Sequence, residues 1–221
     1  MRAGCDVICE KPLVVMPKNI APLQDAEDEF DRSIHVVHQL RFHPQMNTLK
    51  DSEEAKPHDP ANPADVVLTY CAPRGPWYER SWKGDPNRSG GIIMNLGIHF
   101  LDALIWIYGP VVSQATYLHT PTRMSGVINL RRAVVRWLLS TEDRDCEGGR
   151  PNRSMTVDGR PAFDFSRKFG DLHQAVYEAA IDGDIYSVRP DDAAHALELA
   201  HRIRTQPGAI KYDPDEAHPD L

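Results

Sequence analysis

The chain opens with one strand–helix–strand unit, and this unit constrains the possible fold more than any other feature. Asp6 to Cys9 is a short apolar stretch that stops before Pro12, which cannot donate to a β-ladder. Pro17 to Phe30 carries apolar residues at helical spacing, and Ser33 to Leu40 is again apolar and β-branched. This order predicts a parallel strand pair. Because one such unit cannot cover both faces of a sheet, residues 1–44 are expected to be the remnant of a larger parallel sheet.

The middle of the chain alternates polar segments with strongly apolar ones. Ala64 to Ala72 is predicted to be a strand. An apolar helix is predicted from Gly90-Gly91 to Tyr108, where Gly109-Pro110 ends it. The other expectations here are a short helix over His43 to Lys50, a polar, proline-rich loop over Asp51 to Pro63, and an irregular segment over Pro73 to Ser89.

From Val111 onward, short apolar runs separated by turn signals predict a meander of antiparallel strands. The runs are Val111 to Tyr117, Gly126 to Leu130, Ala133 to Ser140, Ser154 to Val157 and Ala162 to Phe165, with turns at Gly148-Gly149 and Asp158-Gly159. Helices over Gly170 to Asp182 and Asp191 to Thr205 close the chain. The predicted fold class is therefore α/β, with a parallel-sheet remnant followed by an α+β domain over residues 45–221.

Composition narrows the function classes. The 32 acidic and 25 basic side chains give a net charge of −7, whereas nucleic acids and anionic membranes bind basic surfaces. No run of about 18 apolar residues indicates a membrane span, and the first residues lack the apolar region of a signal peptide. The four cysteines match neither a disulfide framework nor a zinc-ligand pattern. We therefore expect a cytoplasmic protein with no metal and no nucleic-acid or membrane partner.

Four polar side chains stand where a ligand site is expected. Lys11 follows the first strand, at the carboxyl end where open parallel sheets bind ligands, and a partly desolvated lysine there can transfer protons. Asn95, His99 and Asp102 interrupt the apolar helix at i, i+4 and i+7, so they share one face. His99 is a candidate general base that Asp102 could orient, and Asn95 could hold a ligand hydroxyl. The alternatives are a solvated turn lysine and a satisfied core histidine.

Aromatic and basic residues crowd the segment before this helix. They are Arg74, Trp77, Tyr78, Trp82 and Lys83. Arginine reads phosphate or carboxylate through its planar fork, and aromatic rings can cover a sugar or a base, so the cluster could hold an anionic ligand. A loop pinned by its tryptophans is the alternative. Arg41 has the same two interpretations, because it follows a parallel strand as Lys11 does.

Several segments, in order, resemble the Gfo/Idh/MocA oxidoreductase family. They are C-E-K-P-L at Cys9 to Leu13, Q-L-R-F-H-P at Gln39 to Pro44, and S-G-G-x-x-x-N-x-G-x-H-F-x-D-x-L from Ser89. R-G-P-W-Y-x-x-S-W-K-G-D from Arg74 and F-x-D-L-H-x-x-V-Y-E from Phe169 are similar to the bacterial branch that oxidises UDP-N-acetylglucosaminuronate at C3. The resemblance runs from Cys5 to about Arg204.

The resemblance implies an N-terminal Rossmann domain and a C-terminal α/β domain with an open sheet, whose free face builds homodimers or homotetramers. It implies hydride transfer from C3 of a UDP-sugar uronate, the sugar-nucleotide partner, to NAD, in surface polysaccharide synthesis. By position, Lys11 and His99 would be catalytic, and Glu10, Lys11 and Pro12 would contact the cofactor. The residues expected to bind the substrate are Arg41, Arg74, Trp77, Tyr78, Trp82 and Asn95.

The front of the chain departs from the family pattern. Family members begin with strand–G-x-G-x-x-G/A–helix, where glycines let the backbone approach a pyrophosphate, and this sequence contains no such motif. At about 30 residues per βαβ unit, roughly 80–100 residues are expected to precede Met1. The alternative function is therefore a non-catalytic fragment that retains only self-association. A metal-dependent hydrolase using His35, His38 and His43 is a third hypothesis, although their spacing fits zinc motifs poorly.

Overall fold

The computed structural model describes residues 1–146, 151–165, 172–184, 187–206 and 217–220. The strands are β1 (Val7–Cys9), β2 (Ile34–Val36), β3 (Ala64–Cys71), β4 (Val111–His119), β5 (Arg123–Leu130), β6 (Ala133–Ser140), β7 (Arg153–Val157) and β8 (Arg160–Asp164). The α-helices are α1 (Ala21–Phe30), α2 (Pro44–Ala55), α3 (Pro76–Arg80), α4 (Pro86–Ser89), α5 (Ile98–Tyr108), α6 (Leu172–Asp182) and α7 (Pro190–Thr205). The predicted turn at Gly148-Gly149 and the first two residues of the helix predicted from Gly170 lie outside the described residues.

The predicted parallel pair is present at the front of the chain. Strands β1 and β2 pair in parallel, with Val7 opposite Ile34 and Cys9 opposite Val36, and helix α1 makes the crossover. Strand β2 ends four residues before the predicted Leu40, because the chain turns into a 3₁₀ helix at Gln39–Phe42 that buries Leu40. None of the 10 residues of α1 is buried. The end of β1 is therefore held mainly by its pairing with β2 and not by α1.

A six-stranded sheet forms the body of the protein, in the order β4-β5-β6-β3-β7-β8. The fold class is confirmed, but the simple meander is wrong at one point: β3 inserts between β6 and β7, parallel to β6 and antiparallel to β7. Both edges of β3 are thus paired. Its inward residues Val66 and Leu68 are fully enclosed, as a central strand requires. Turn signals predict only hairpins between strands that are neighbours in sequence. They cannot predict that the earlier strand β3 lies between β6 and β7.

The long apolar helix is present and ends at Gly109, as predicted. Gly90 and Gly91 precede it with φ values of 78° and 77°, a left-handed conformation that side chains with a Cβ resist. Residues Ile93–Gly97 form a π-helical turn before α5. The stretch Pro86–Tyr108 is long and apolar enough to cross a membrane by length and composition alone, yet 67% of its most apolar window is buried inside the protein. It is the central helix of the core.

Helices α2, α5 and α7 cover one face of the sheet and connect it to β2. The largest enclosed side chains include Trp137 of β6 and Tyr108 of α5. Helix α7 buries an alanine-rich stripe against α5 and also touches β2, whose Val36 donates to the carbonyl of Val188 over 2.8 Å. Because small side chains let helices approach closely, α7 couples the two-stranded pair to the larger sheet.

Two segments predicted to be irregular contain helix. Helix α2 continues to Ala55, beyond the predicted Lys50, because the His43 side chain caps its first turn and Lys50 pairs with Glu54 along its surface. The segment Pro73 to Ser89 contains α3, a 3₁₀ turn and α4. In α3 and α4 a proline occupies the first helical position, where its missing N–H would have no partner in any case. The domain boundary at residue 44 stays a prediction.

Candidate active site

A cleft of about 410 Å³ opens where the end of β1 meets the π-helical turn and α5. Its lining residues are Lys11, Gln39, Leu40, Tyr70, Arg74, Trp77, Tyr78, Lys83, Asn95, Leu96, His99 and Phe100. Six of the ten residues expected to form the site therefore converge on one cavity. Three basic side chains, Lys11, Arg74 and Lys83, line it, and no carboxylate is among the lining residues. The cleft is cationic in a chain of net charge −7.

Lys11 connects the first strand to the helix that carries the other polar residues. Its Nζ donates a hydrogen bond of 2.6 Å to the backbone carbonyl of Asn95. Burial lowers the pKa of Lys11 to about 8; the charge of Glu10 opposes this effect, while Lys83 and Arg74 add to it. The peptide bond between Lys11 and Pro12 is cis. The Lys11 amine is therefore mainly charged at pH 7 and loses its proton as the pH rises through about 8.

His99 presents an enclosed nitrogen and an accessible one. Its Nδ1 is fully buried with no hydrogen-bond partner among the described residues, while the side chain lines the cleft. Nε2 is consequently the nitrogen that reaches the cavity. Burial, and then the charge of Lys11, hold the pKa of His99 well below its usual value. The imidazole is neutral at pH 7, which is the form that can accept a proton.

Asn95 and Tyr78 form a second polar contact on the cleft wall. The Asn95 side-chain amide donates to the Tyr78 hydroxyl over 2.7 Å. Tyr78 is only 6% exposed, so its ring belongs to the wall. The amide oxygen of Asn95 makes no hydrogen bond among the described residues and is available to a ligand hydroxyl.

The aromatic loop places its members differently. Trp77 and Arg74 line the cleft, and Trp77 is 59% exposed at its rim. Trp82 lies outside the lining, 48% exposed, with the Lys83 ammonium 5.9 Å from its ring centroid. Trp77 can therefore contact a cleft ligand directly, whereas Trp82 supports Lys83.

Arg41 lies outside the cleft, in a buried ion pair. Its Nε and Nη2 donate to both carboxylate oxygens of Asp102 over 2.9 and 2.7 Å. The same carboxylate lies 3.7 Å from Nδ1 of His38, and no contact joins Asp102 to His99 in the described part of the chain. The geometry thus differs from two expectations. Arg41 is paired with Asp102 and does not line the cleft, so its role in substrate binding stays a prediction. Asp102 contacts Arg41 and lies near His38, and it does not orient His99.

Glu10 and Pro12 flank Lys11 but do not line the cavity. The Glu10 carboxylate is 61% exposed and lies 3.5 Å from Nε2 of His173 on α6. The lining residues that were not singled out from the sequence are Gln39, Leu40, Tyr70, Leu96 and Phe100. Four of them are apolar or aromatic, and their spacing in the sequence does not distinguish them from ordinary core residues. Gln39 belongs to the Q-L-R-F-H-P segment, in which the sequence pointed to Arg41 as the ligand-binding residue.

Two of the three histidines of the hydrolase hypothesis, His35 and His43, make other contacts. Nδ1 of His35 lies 2.6 Å from the Ser187 hydroxyl, and the His43 side chain accepts from the backbone of Gln45 at the start of α2. Across residues 1–146 and the four later described ranges, no group of three or more His, Cys, Asp or Glu side chains is arranged to hold a metal ion. The hydrolase hypothesis has no geometric support.

Comparisons with known proteins identify the family to which this fold belongs. Residues 65–131 match the C-terminal alpha/beta domain of the GFO_IDH_MocA oxidoreductase family. A WlbA (WbpB) dehydrogenase from Thermus thermophilus, solved with NAD and α-ketoglutarate, is 38% identical with a TM-score of 0.91, and the match covers 100% of this chain and 71% of that one.

Two further solved structures carry a sugar nucleotide. The Thermus thermophilus enzyme in complex with NAD and UDP-GlcNAcA is 37% identical, has a TM-score of 0.91 and is covered over 70% of its length by all of this chain. The Bordetella pertussis WlbA dehydrogenase with NADH and UDP-GlcNAcA shares 20% identity and a TM-score of 0.75 over 96% of this chain and 74% of its own, so it supports the fold alone. With an identity well above 30% over most of the Thermus chain, and with the E-K-P lysine and the helix histidine meeting at one cleft, this chain belongs to the Gfo/Idh/MocA oxidoreductase family.

Proposed function

We propose that the cleft oxidises a hydroxyl, at C3, of a UDP-sugar uronate with NAD as the hydride acceptor. The observation that carries this proposal is the meeting of Lys11 and His99 at one cavity in opposite protonation states. At neutral pH the pKa of Lys11, about 8, keeps its amine charged, while burial keeps His99 neutral. A hydroxyl oxygen placed between them has a proton acceptor on one side and a cation on the other.

Removal of the hydroxyl proton is the step that these residues support. The proton passes from the sugar hydroxyl to Nε2 of His99, which carries a lone pair when the imidazole is neutral. The Lys11 ammonium has three N–H groups, and one of them is used on Asn95. A remaining N–H can bind the same sugar oxygen and stabilise the negative charge that develops on it. Acid–base groups of this kind contribute about 10²- to 10⁴-fold to rate.

NAD supplies the acceptor for the hydride that leaves the sugar carbon when the cofactor is bound. The residues of this chain that suit its nicotinamide end are those at the carboxyl end of β1, where parallel sheets bind ligands. Lys11 keeps a donor free for a ribose hydroxyl, and Glu10 and Pro12 are its neighbours in the chain. The 221 residues contain no G-x-G pair for the pyrophosphate, so the proposal assigns only this end of the cofactor to these residues.

The substrate class follows from charge and shape. Arg74 and Lys83 line a cleft that suits an anionic ligand, and Trp77 and Tyr78 offer ring surface to a sugar or a base. The Thermus complex with UDP-GlcNAcA supports a uronate of this kind. Within the proposal, Asn95 holds a sugar hydroxyl. The protein acts in the cytoplasm, in surface polysaccharide synthesis, as a homodimer or homotetramer.

The test is binding followed by turnover. Titration of the 221-residue chain with NADH is expected to show micromolar binding, and addition of UDP-GlcNAcA with NAD is expected to produce NADH absorbance. Lys11→Met and His99→Gln each lower kcat by about 10²-fold or more, the low end for acid–base catalysis. Lys18→Met, an exposed lysine in the turn before α1, is the matched control and leaves kcat unchanged.

Two results would contradict the proposal. Full turnover in both cleft variants would remove Lys11 and His99 from the chemistry. A chain that is folded by circular dichroism and binds neither NADH nor the sugar nucleotide would favour the non-catalytic alternative, and sedimentation would then show whether it self-associates.

A further inference from the structure

His38 is a buried histidine that the proposed reaction does not use. It is 1% exposed, and neither of its ring nitrogens has a hydrogen-bond partner in the described part of the chain. Buried polar nitrogens without partners are rare, because each loses its hydrogen bonds to water and gains no hydrogen bond within the protein. His38 stands at the end of β2, just before the 3₁₀ helix of Gln39–Phe42. Its neighbours include Asp102 and His99, and His99 lines the cleft.

The surroundings of His38 define a line of polar groups. On one side, the Asp102 carboxylate approaches its Nδ1 to 3.7 Å, with that carboxylate held by both nitrogens of Arg41. On the other side, the His99 ring stands edge-on, with ring centroids 6.1 Å apart and an interplanar angle of 80°. Nδ1 of His99 is itself enclosed and unpartnered. Both nitrogens of His38 and Nδ1 of His99 are therefore buried in neighbouring rings without a hydrogen-bond partner in the described part of the chain.

The charges fix which nitrogen of each ring carries the proton. A carboxylate can only accept, so Nδ1 of His38 is the protonated nitrogen that faces Asp102. Nε2 of His38 then carries a lone pair and needs a donor. The donor that completes the line is Nδ1–H of His99, whose ring is the neighbouring one, and a small rotation of either ring would bring the two nitrogens into direct contact. With its proton on Nδ1, His99 presents the lone pair of Nε2 to the cleft.

We propose that His38 is a positioning residue that holds His99 in the Nδ1–H tautomer, and so keeps the Nε2 lone pair directed into the cleft. It acts through His99 and touches no cleft ligand, because it is absent from the cleft lining. The other charged groups near His38 are Arg41, Lys11 and Asp192, and burial together with the two cations lowers its pKa, so it stays neutral. The inference rests on the proposed function only in taking His99 as the base.

The tautomer can be measured without cofactor or substrate. Long-range ¹H–¹⁵N correlation spectra of the ¹⁵N-labelled chain at pH 7 separate the two neutral tautomers of each of its 10 histidines. His99 is identified by the signals lost in His99→Gln. The expected result in the unsubstituted chain is His99 with its proton on Nδ1. A proton on Nε2 would overturn the proposal, and this measurement needs no variant of His38.

Variants then test whether His38 is the cause. His38→Leu removes the acceptor, so His99 is expected to move to the Nε2–H tautomer that free neutral imidazole favours. His38→Gln places an amide oxygen near the position of Nε2 and is expected to restore the Nδ1–H form. The matched control is His35→Leu, which replaces a histidine of β2 that contacts Ser187 and is expected to leave His99 unchanged. An unchanged His99 in folded His38→Leu would contradict the assignment.

Turnover measurements distinguish a residue that positions His99 from one that only stabilises the fold. His38→Leu is expected to lower kcat by about 10- to 100-fold, the range typical of residues that orient a functional ligand. KM for the sugar nucleotide should not change, and His38→Gln should recover most of the rate. Equal losses in both variants, or a loss confined to KM, would contradict the positioning role. If the tautomer pattern holds while no variant or parent oxidises the sugar, the proposed function fails and the assignment of the His99 proton stands.

Discussion

The Lys11 ammonium donates a 2.6 Å hydrogen bond to the backbone carbonyl of Asn95, 84 positions along the chain. This contact joins the strand end at the front of the protein to the π-helical turn that begins the central helix. It holds a charged amine in a largely buried place, where hydration is lost. The altered titration of Lys11 is the measurable consequence of that placement.

Lys11 is expected to titrate near pH 8, far below an ordinary lysine. The pKa falls because burial disfavours the charged amine, although the neighbouring Glu10 favours it. Lysines dimethylated with ¹³C-formaldehyde and followed by NMR should show one methyl signal that titrates near pH 8. That signal should vanish in Lys11→Arg and persist in Lys18→Met. In the proposed reaction kcat declines as pH rises through about 8, because the ammonium that stabilises the sugar oxygen is lost. Titration of every lysine near 10.5 would contradict the placement.

Replacing Lys11 by methionine is expected to stabilise the fold. Between pH 8 and 10.5 the unfolded chain binds this proton and the folded chain does not, so this group makes the free energy of unfolding rise with pH across that window. At pH 7 the lowered pKa corresponds to roughly 3 kcal/mol of destabilisation, which the hydrogen bond to Asn95 partly offsets.

Lys11→Met should therefore raise the free energy of unfolding by about 1–2 kcal/mol at pH 7, measured by urea denaturation. The advantage should shrink as pH rises through 10.5, where Lys11 is neutral in both states. A lower free energy of unfolding for Lys11→Met would contradict this prediction. It would mean that the contacts of the lysine stabilise the fold by more than the burial of its charge destabilises it.

Local patterns predicted much of this molecule. Helical spacing identified the apolar helix, the glycine pair marked its start, and Asp158-Gly159 forms the hairpin turn between β7 and β8 with φ values of 51° and 71°. These features are decided by residues near one another in sequence. The polar stripe on the helix likewise led to Asn95 and His99, and both line the cleft.

Features that depend on distant contacts were not predicted. Strand β3 enters the sheet between β6 and β7, and nothing within β3 specifies that place. Asp102 lies three residues after His99 within α5, yet its carboxylate meets Arg41 and His38, because polar spacing along a helix does not specify which distant elements pack against each residue. An arginine after a parallel strand looks the same in sequence whether it binds a ligand or a buried aspartate.

The glycine pair before the central helix offers a matched stability test. Both glycines are left-handed, but a Cβ at Gly90 would lie 2.5 Å from Cγ of the buried Met94, whereas at Gly91 the nearest atom is 3.9 Å away. Gly91→Ala is expected to lose about 1–2 kcal/mol from backbone strain alone. Gly90→Ala should lose a further 1–3 kcal/mol or so, because Met94 has no space to move.

Gly159→Ala is the control for strain without contact, since φ is 71° and nothing lies within 4 Å of the added Cβ. Its loss, measured in the same urea titrations, should match that of Gly91→Ala. Equal stability of Gly90→Ala and Gly91→Ala would show that the helix start is looser than the packing around Met94 indicates.

The buried ion pair between Arg41 and Asp102 predicts a strongly coupled double-mutant cycle. Removing either partner leaves a buried charge without compensation, so Arg41→Met and Asp102→Leu should each lose about 3–5 kcal/mol of stability. The double variant removes both charges and should lose much less than the sum. The partly exposed pair of Arg136 and Asp65 is the matched control, and Arg136→Met should lose no more than about 1 kcal/mol.

The cycle also distinguishes the two interpretations of Arg41. If Arg41 serves Asp102 alone, the double variant keeps its affinity for the sugar nucleotide while each single variant is unstable. If Arg41 binds the substrate, the folded double variant loses affinity even though its stability recovers. Because its guanidinium donates to both carboxylate oxygens and is 10% exposed, we expect the first result. Additive losses of stability in the cycle would contradict the pair as the reason for the burial of Arg41.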